Sequence, residues 1–205
     1  MTDKLTIGVL AVQGGVTEHL RMLQSLGVEG VQVRRTEHLE GLDGIILPGG
    51  ESTTMSRLLR LGGLLEPLRA AIQDGLPAFG TCAGLIILAR TVLDTREDAV
   101  SLGVLDVTVR RNAFGRQVDS FETHLPFQGI DTPVDAVFIR APQVEALGEG
   151  VDVLCTVAGK QGDTVVAVRQ GHVLGTSFHP ELTSDNRVHS YFVEMVRDQE
   201  QGGVG

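Results

Sequence analysis

Short apolar runs alternate with amphipathic stretches along the first half of the chain. LTIGVLAV, VEGVQVRR, GIILPGG and LPAF, beginning at Leu5, Val28, Gly44 and Leu76, read as strands bounded by glycine or proline. Between the first two, VTEHLRMLQSLG puts Val16, Leu20 and Leu23 at helical spacing. STTMSRLLRLGG and LLEPLRAAIQDG follow as two short helices, each stopped by glycine, and GLIILAR turns helical after LPAF. Such alternation predicts βαβ units around a doubly wound, parallel sheet.

From Ser101 the texture changes. SLGVLDVTVRR, DAVFIRAP, VDVLCTV, TVVAVRQG and HVLGTSF are strand-like pieces separated by Gly, Pro and Asp turns, and a helix from about Asn186 to Arg197 closes the chain. The expectation is one α/β domain over residues 1–205 with a mostly parallel central sheet flanked by helices, and a loose tail over 199–205.

The glycine pattern adds chemistry. In AFGTCAGLIIL, Cys82 stands between Gly80 and Gly84 where a strand meets a helix. Glycines on both sides let backbone segments approach closely in a sharp reversal, the logic of a G-x-S-x-G nucleophile elbow with cysteine in place of serine. The unpaired amides at a helix start favour a thiolate, and that of Ala83 can face an oxyanion formed when the sulfur attacks a carbonyl. A small buried core residue is the competing reading, and it is the reading for Cys155, which alternates with Val151, Val153 and Val157 on one strand face.

A cysteine nucleophile needs a base. His179 ends the apolar strand VLGTSF at the edge where parallel-sheet active sites form, and Glu181, two residues on, faces the same side of an extended segment. A carboxylate there would fix the tautomer of the ring; the alternative is a polar strand-to-loop junction. His19, His38 and His189 read as solvated, and His124 and His172 lie in turn-like contexts without a neighbouring acid. In GIILPGGEST, Gly49 and Gly50 let backbone amides face a ligand, with Ser52 as helix N-cap; the P-loop spacing and its lysine are absent, and a plain turn competes.

Taken together, LAVQGGVTEH, LPGGESTTM, FGTCAGLIILA, RRNAFGRQVDSFE, VFIRAP and GTSFHPELT resemble the class I glutamine amidotransferases, and among them the glutaminase subunits that serve pyridoxal 5′-phosphate synthase. The stretch from 111 to 122 is the most specific part. Ile86, where many amidotransferases carry glutamine, agrees with this branch. The resemblance implies a flavodoxin-like fold and a Cys82–His179–Glu181 triad that hydrolyses L-glutamine to L-glutamate and ammonia through a thioester. It further implies oxyanion donors at the Gly50 and Ala83 amides, and substrate contacts at Gly50, Glu51, Ser52, Arg111, Ile139 and Arg140. By composition alone, each arginine reads as a solvated surface residue.

It implies a protein partner too: a synthase (lyase) subunit that takes the ammonia inside a hetero-oligomer and makes pyridoxal 5′-phosphate. At 205 residues the chain has no room for that barrel-type enzyme. Another cysteine hydrolase with another acceptor, or a non-catalytic anion-binding module, stand as alternatives.

Charge narrows the partners. Twenty-six acidic against 17 basic residues give a net charge of -9, which repels polyphosphate backbones, so nucleic acid is not expected. No run is apolar enough for a bilayer span, and no signal layout opens the chain, so a reduced cytoplasmic setting without disulfides is expected. Histidines, acids and cysteines lack ligand spacing, so neither metal nor cofactor is expected.

Overall fold

The computed structural model describes residues 4–111, 120–159 and 162–202. Its strands are β1 (Thr6–Leu10), β2 (Glu29–Val33), β3 (Gly44–Leu47), β4 (Ala78–Thr81), β5 (Ala89–Leu93), β6 (Leu105–Arg110), β7 (Ser120–Phe127), β8 (Ile130–Ile139), β9 (Gln143–Leu147), β10 (Asp152–Val157), β11 (Thr164–Gln170) and β12 (Val173–Thr176). The helices are α1 (Val16–Ser25), α2 (Ser52–Leu61), α3 (Leu65–Gln73), α4 (Ala83–Leu88) and α5 (Arg187–Gly202).

The main sheet runs β2-β1-β3-β4-β12-β11-β9-β6-β5, with β10 paired to β11. Its first half is parallel, as the strand–helix alternation requires: β1 pairs β2 and β3, β3 pairs β4, and β4 pairs β12. The expectation of a mostly parallel sheet is corrected beyond that point. β12, β11, β9 and β6 pair antiparallel in turn, and the sheet is mixed. The cause is the connections. Gly171, at φ 58°, and His172 alone join β11 to β12, and so short a link can return a strand only alongside itself.

Two further elements differ from expectation. The helical reading of GLIILAR holds only to Leu88, because Ala89 turns extended and opens β5, which pairs with β6. An unbroken apolar run carries no period to separate helix from buried strand. α5 runs to Gly202, into the stretch read as tail; residues 203–205, like the 112–119 part of the specific motif, lie outside the described residues.

Sheet side chains alternate between two cores, the period-2 geometry of a strand. Val9, Ile46, Phe79 and Leu174 face α1, α5 and the β7–β8 hairpin, whereas Leu10, Ile45, Leu47, Ala78 and Val173 face α2, α3 and α4. Phe79 is fully buried, with its ring edge-on to His189 at 5.6 Å and tilted on Phe192 at 5.5 Å. Its burial contributes about 1.5–3 kcal/mol and holds α5 on β4. The face α1 turns inward carries His19, Met22 and Leu23. These layers leave the C-terminal ends of β1, β3, β4 and β12 side by side, where the strand connections diverge.

Candidate active site

Cys82 follows β4 and caps α4 with φ 50° and ψ -104°, a backbone region that a non-glycine residue enters only under strain. Its neighbours explain how the strain is held. A Cβ on Gly80 would stand 2.5 Å from the carbonyl carbon of Gly84, and one on Gly84 only 1.9 Å from the carbonyl oxygen of Leu47. Both glycines are therefore required by close backbone approach. The Cys82 amide donates to the Thr176 carbonyl at 2.8 Å and ties the elbow to β12.

His179 lies just beyond β12, and its amide donates to the Val137 carbonyl of β8 at 2.8 Å. Nδ1 lies 2.7 Å from Oε1 of Glu181, so Nε2 is left to face the thiol. Pro180–Leu182 forms a 3-10 turn, which corrects the extended geometry expected for HPE; the carboxylate reaches the ring from within the turn. Burial opposes charging of the imidazole, but hydrogen bonds with Cys82 and Glu181 prevail and raise its pKa to about 10. Burial likewise opposes ionisation of Glu181, but the hydrogen bond and charge of His179 help to hold it down to about 2.

Gly49 has a role that the sequence reading missed. A Cβ there would stand 2.2 Å from Cε1 of His179, so this glycine makes room for the imidazole itself. The adjacent loop is fixed by Gln13, whose Oε1 accepts from the Glu51 amide at 2.8 Å. Glu51, rather than the expected Ser52, caps α2: its carboxylate accepts from the amides of Thr53 at 3.1 Å and Thr54 at 2.8 Å. Burial, the largest single influence, opposes ionisation, but the combined hydrogen bonds from the hydroxyls and amides of Thr53 and Thr54 outweigh it and lower the carboxyl to about 2. Arg111 donates to the same carboxylate at 3.1 Å.

A cleft of about 470 Å³ joins these pieces. The catalytic candidates Cys82, His179 and Glu181 open onto it, as do Gly50, Glu51, Ser52, Ala83, Arg111, Ile139 and Arg140. The Ile139 carbonyl is 3.9 Å from Sγ of Cys82, and Arg140 sits at φ 44°, a second strained non-glycine residue on the cleft wall. Gly14, Gly15, Glu18 and Leu182 line it without having been foreseen; the paired glycines of VQGG were the available signal. A Cβ on Gly14 would stand 1.9 Å from the Gly49 carbonyl oxygen.

Three other histidines correct the reading of their surroundings. His19 and His189 are fully buried, not solvated, and touch each other at 2.9 Å. His124 pairs with Asp135 at 2.7 Å, an acid brought opposite it by the β7–β8 register and invisible to local sequence. Cys155 lies buried away from the cleft, and burial pushes its thiol up to about 12.

Comparison with known proteins gives the same direction. Residues 9–198 match the SNO glutamine amidotransferase family. A protein named pyridoxal 5′-phosphate synthase subunit PdxT from Corynebacterium jeikeium is 67% identical over 195 residues, covering 95% of this chain and 98% of that protein. A protein of the same name from Nocardia farcinica is 63% identical over 194 residues, covering 94% of this chain and 86% of the relative. A crystal structure described as a glutamine amidotransferase superposes with a TM-score of 0.87 at 51% identity, covering 93% of this chain and 98% of the other. A putative GMP synthase subunit from Thermoplasma acidophilum shares the fold, with a TM-score of 0.69 at 17% identity over the whole of both chains.

Proposed function

The chain belongs to the SNO glutamine amidotransferase family, and on that premise we propose how its cleft carries out the reaction. The enzyme hydrolyses L-glutamine to L-glutamate and ammonia, and the ammonia feeds the synthesis of pyridoxal 5′-phosphate. Cys82 gives its thiol proton to His179 and attacks the side-chain amide carbon of glutamine. The oxyanion is met by the backbone amides of Gly50 and Ala83, the latter at the start of α4 where no intrahelical carbonyl competes for it.

His179 then protonates the departing nitrogen, so that ammonia leaves and a γ-glutamyl thioester remains on Sγ. A water molecule, deprotonated by the same imidazole, attacks the thioester; glutamate departs and the thiol regains its proton. Glu181 keeps Nδ1 of His179 as the donor nitrogen and stabilises the imidazolium. Arg111 and Arg140 bind the substrate α-carboxylate, and Glu51, Ser52 and Ile139 wall the amino acid in. The observation that carries this assignment is the position of His179, whose Nδ1 lies 2.7 Å from Glu181 Oε1, on the wall of the same cleft that Cys82 lines.

Ammonia released into neutral water becomes ammonium and loses its nucleophilicity. The glutaminase therefore docks on the synthase (lyase) subunit as a hetero-oligomer and passes ammonia on directly. Residues 1–205 act as one glutaminase domain in the cytoplasm, a setting compatible with two free thiols. No helix among the described residues is long and apolar enough to cross a membrane.

Glutamate release with the synthase subunit present tests the assignment. Cys82→Ala abolishes it and Cys155→Ala leaves it intact; equal loss in both variants would remove the basis for the nucleophile.

A further inference from the structure

Behind the cleft lies a buried group of polar side chains that the reaction as described does not use. Thr81, the last residue of β4, His19 of α1 and His189 of α5 are each 0% exposed. His189 Nε2 lies 2.9 Å from His19 Nδ1, His19 Nε2 lies 3.2 Å from Thr81 Oγ, and Thr81 Oγ lies 3.3 Å from Glu181 Oε1. His19 Nε2 is itself 3.6 Å from that oxygen.

The direction of each bond follows from what its end can do. An ionised carboxylate only accepts, so the Thr81 hydroxyl donates to Glu181. Its oxygen then accepts from His19 Nε2–H. A neutral imidazole with its proton on Nε2 has a lone pair on Nδ1, which accepts from Nε2–H of His189. His189 is left with a bare Nδ1, and that is the ring atom for which no hydrogen-bond partner is found among the described residues. Every proton in the chain points toward Glu181 Oε1, the oxygen that also accepts from His179. Glu181 Oε2, also buried, has no partner among the described residues, so the carboxylate is anchored through one oxygen.

We propose that Thr81 and His19 are positioning residues for the glutaminase triad: the chain from His189 through His19 and Thr81 clamps Oε1 of Glu181 against the imidazole of His179. The proposal rests on the triad reading of Cys82, His179 and Glu181. The chain requires neutral rings. Burial, the largest influence on both, lowers the pKa of His19 and takes that of His189 down to about 3. The groups facing His19 are Glu181, His179 and Glu18, and those facing His189 are His19, Glu181 and Asp185; the carboxylates among them pull toward charging and are outweighed.

Thr81→Val tests this directly, because it removes the hydroxyl and keeps the β-branched shape on a buried strand. Assayed with the synthase subunit, Thr81→Val lowers kcat/KM for glutamine by about 10- to 100-fold, the range typical when the partner behind a reacting group is lost. The loss falls on kcat, with KM held within about twofold, since no substrate contact is removed. Thr81→Ser, which restores the hydroxyl, recovers most of the rate. In an imidazole NMR titration, the midpoint of His179 moves down in Thr81→Val, because a loosened carboxylate holds the imidazolium less well.

His19→Gln and His19→Leu repeat the comparison one link further back, and remain informative should Thr81→Val fold poorly. Gln keeps a donor toward Thr81 and retains more activity than Leu at matched thermal stability. Overturning results are a Thr81→Val enzyme of lower melting temperature but wild-type kcat/KM, an unchanged or raised His179 midpoint, or equal activity of the two His19 variants. Absence of glutamine turnover in the wild-type complex would remove the triad reading and the proposal with it. Wild-type turnover with an unaffected Thr81→Val overturns the proposal alone.

Discussion

His179 Nδ1 lies 2.7 Å from Oε1 of Glu181, two residues away across a 3-10 turn, and both groups are buried. At this distance the carboxylate fixes the tautomer and leaves Nε2 for the sulfur of Cys82. Replacing it has two readable effects. Glu181→Gln lowers kcat for glutamine by about 10²- to 10⁴-fold, the contribution of an oriented general base. It also moves the NMR midpoint of His179 from about 10 toward 6.5. A midpoint that stays put would mean that Glu181 does not govern the ring.

The same midpoint sets a stability window. The folded value of His179 lies above its ordinary 6.5, so the stability it contributes is complete below about pH 6.5 and is lost as pH rises through about 10. His189 has the opposite sign. Its folded value is lowered to about 3, so the unfolded chain binds its proton first, and stability falls as the solution is acidified below about 6.5. His189→Phe removes that proton uptake, and its melting temperature declines less steeply than that of the wild type between pH 6.5 and 4. Parallel curves would show that His189 titrates alike in both states.

The elbow predicts a contrast between glycines. Gly84→Ala sets a Cβ 1.9 Å from a backbone oxygen of β3, a clash that no side-chain movement relieves, and destabilises the fold by about 3 kcal/mol or more. Gly63, at φ 67° with open space around it, loses only about 1–2 kcal/mol on the same change, the cost of the left-handed conformation. Chemical denaturation of both variants checks the difference; equal losses would deny the close approach.

Arg111 offers a binding prediction. It ion-pairs with Glu51 at the cleft and is the nearer of the two arginines to the α2 cap. Arg111→Ala raises KM for glutamine about 10-fold, the loss of one charge-assisted contact, with kcat little changed. A fall in kcat at constant KM would place Arg111 with the reacting atoms instead.

How far the sequence carried depended on the range of the physics. The elbow around Cys82 was legible because Gly80 and Gly84 flank the cysteine in the sequence, although the backbone that Gly84 admits is that of Leu47 in β3; β1 to β4 were legible because each is a short apolar run bounded by glycine or proline. The antiparallel half was missed because pairing direction is set by connection length, as at Gly171 and His172, and not by strand composition. His19 and His189 were misread for a related reason: charged neighbours on a helix do not reveal which face turns inward, and the fold turned His19 onto β4 beside Thr81. Glu51 displaced Ser52 as the cap because a longer carboxylate reaches two amides at once. Gly49 served a ring that lies far along the chain.

The central claim is that the thiol at position 82 is the nucleophile and that the imidazole at position 179 activates it. Treatment with a diazoketone analogue of glutamine, followed by peptide mapping, reads this most directly. The account predicts one covalent adduct, on Cys82, formed much more slowly in His179→Ala and absent from Cys82→Ala, with Cys155 unmodified behind a thiol pushed up to about 12. An adduct on Cys155, or labelling of Cys82 at the wild-type rate without His179, would contradict it.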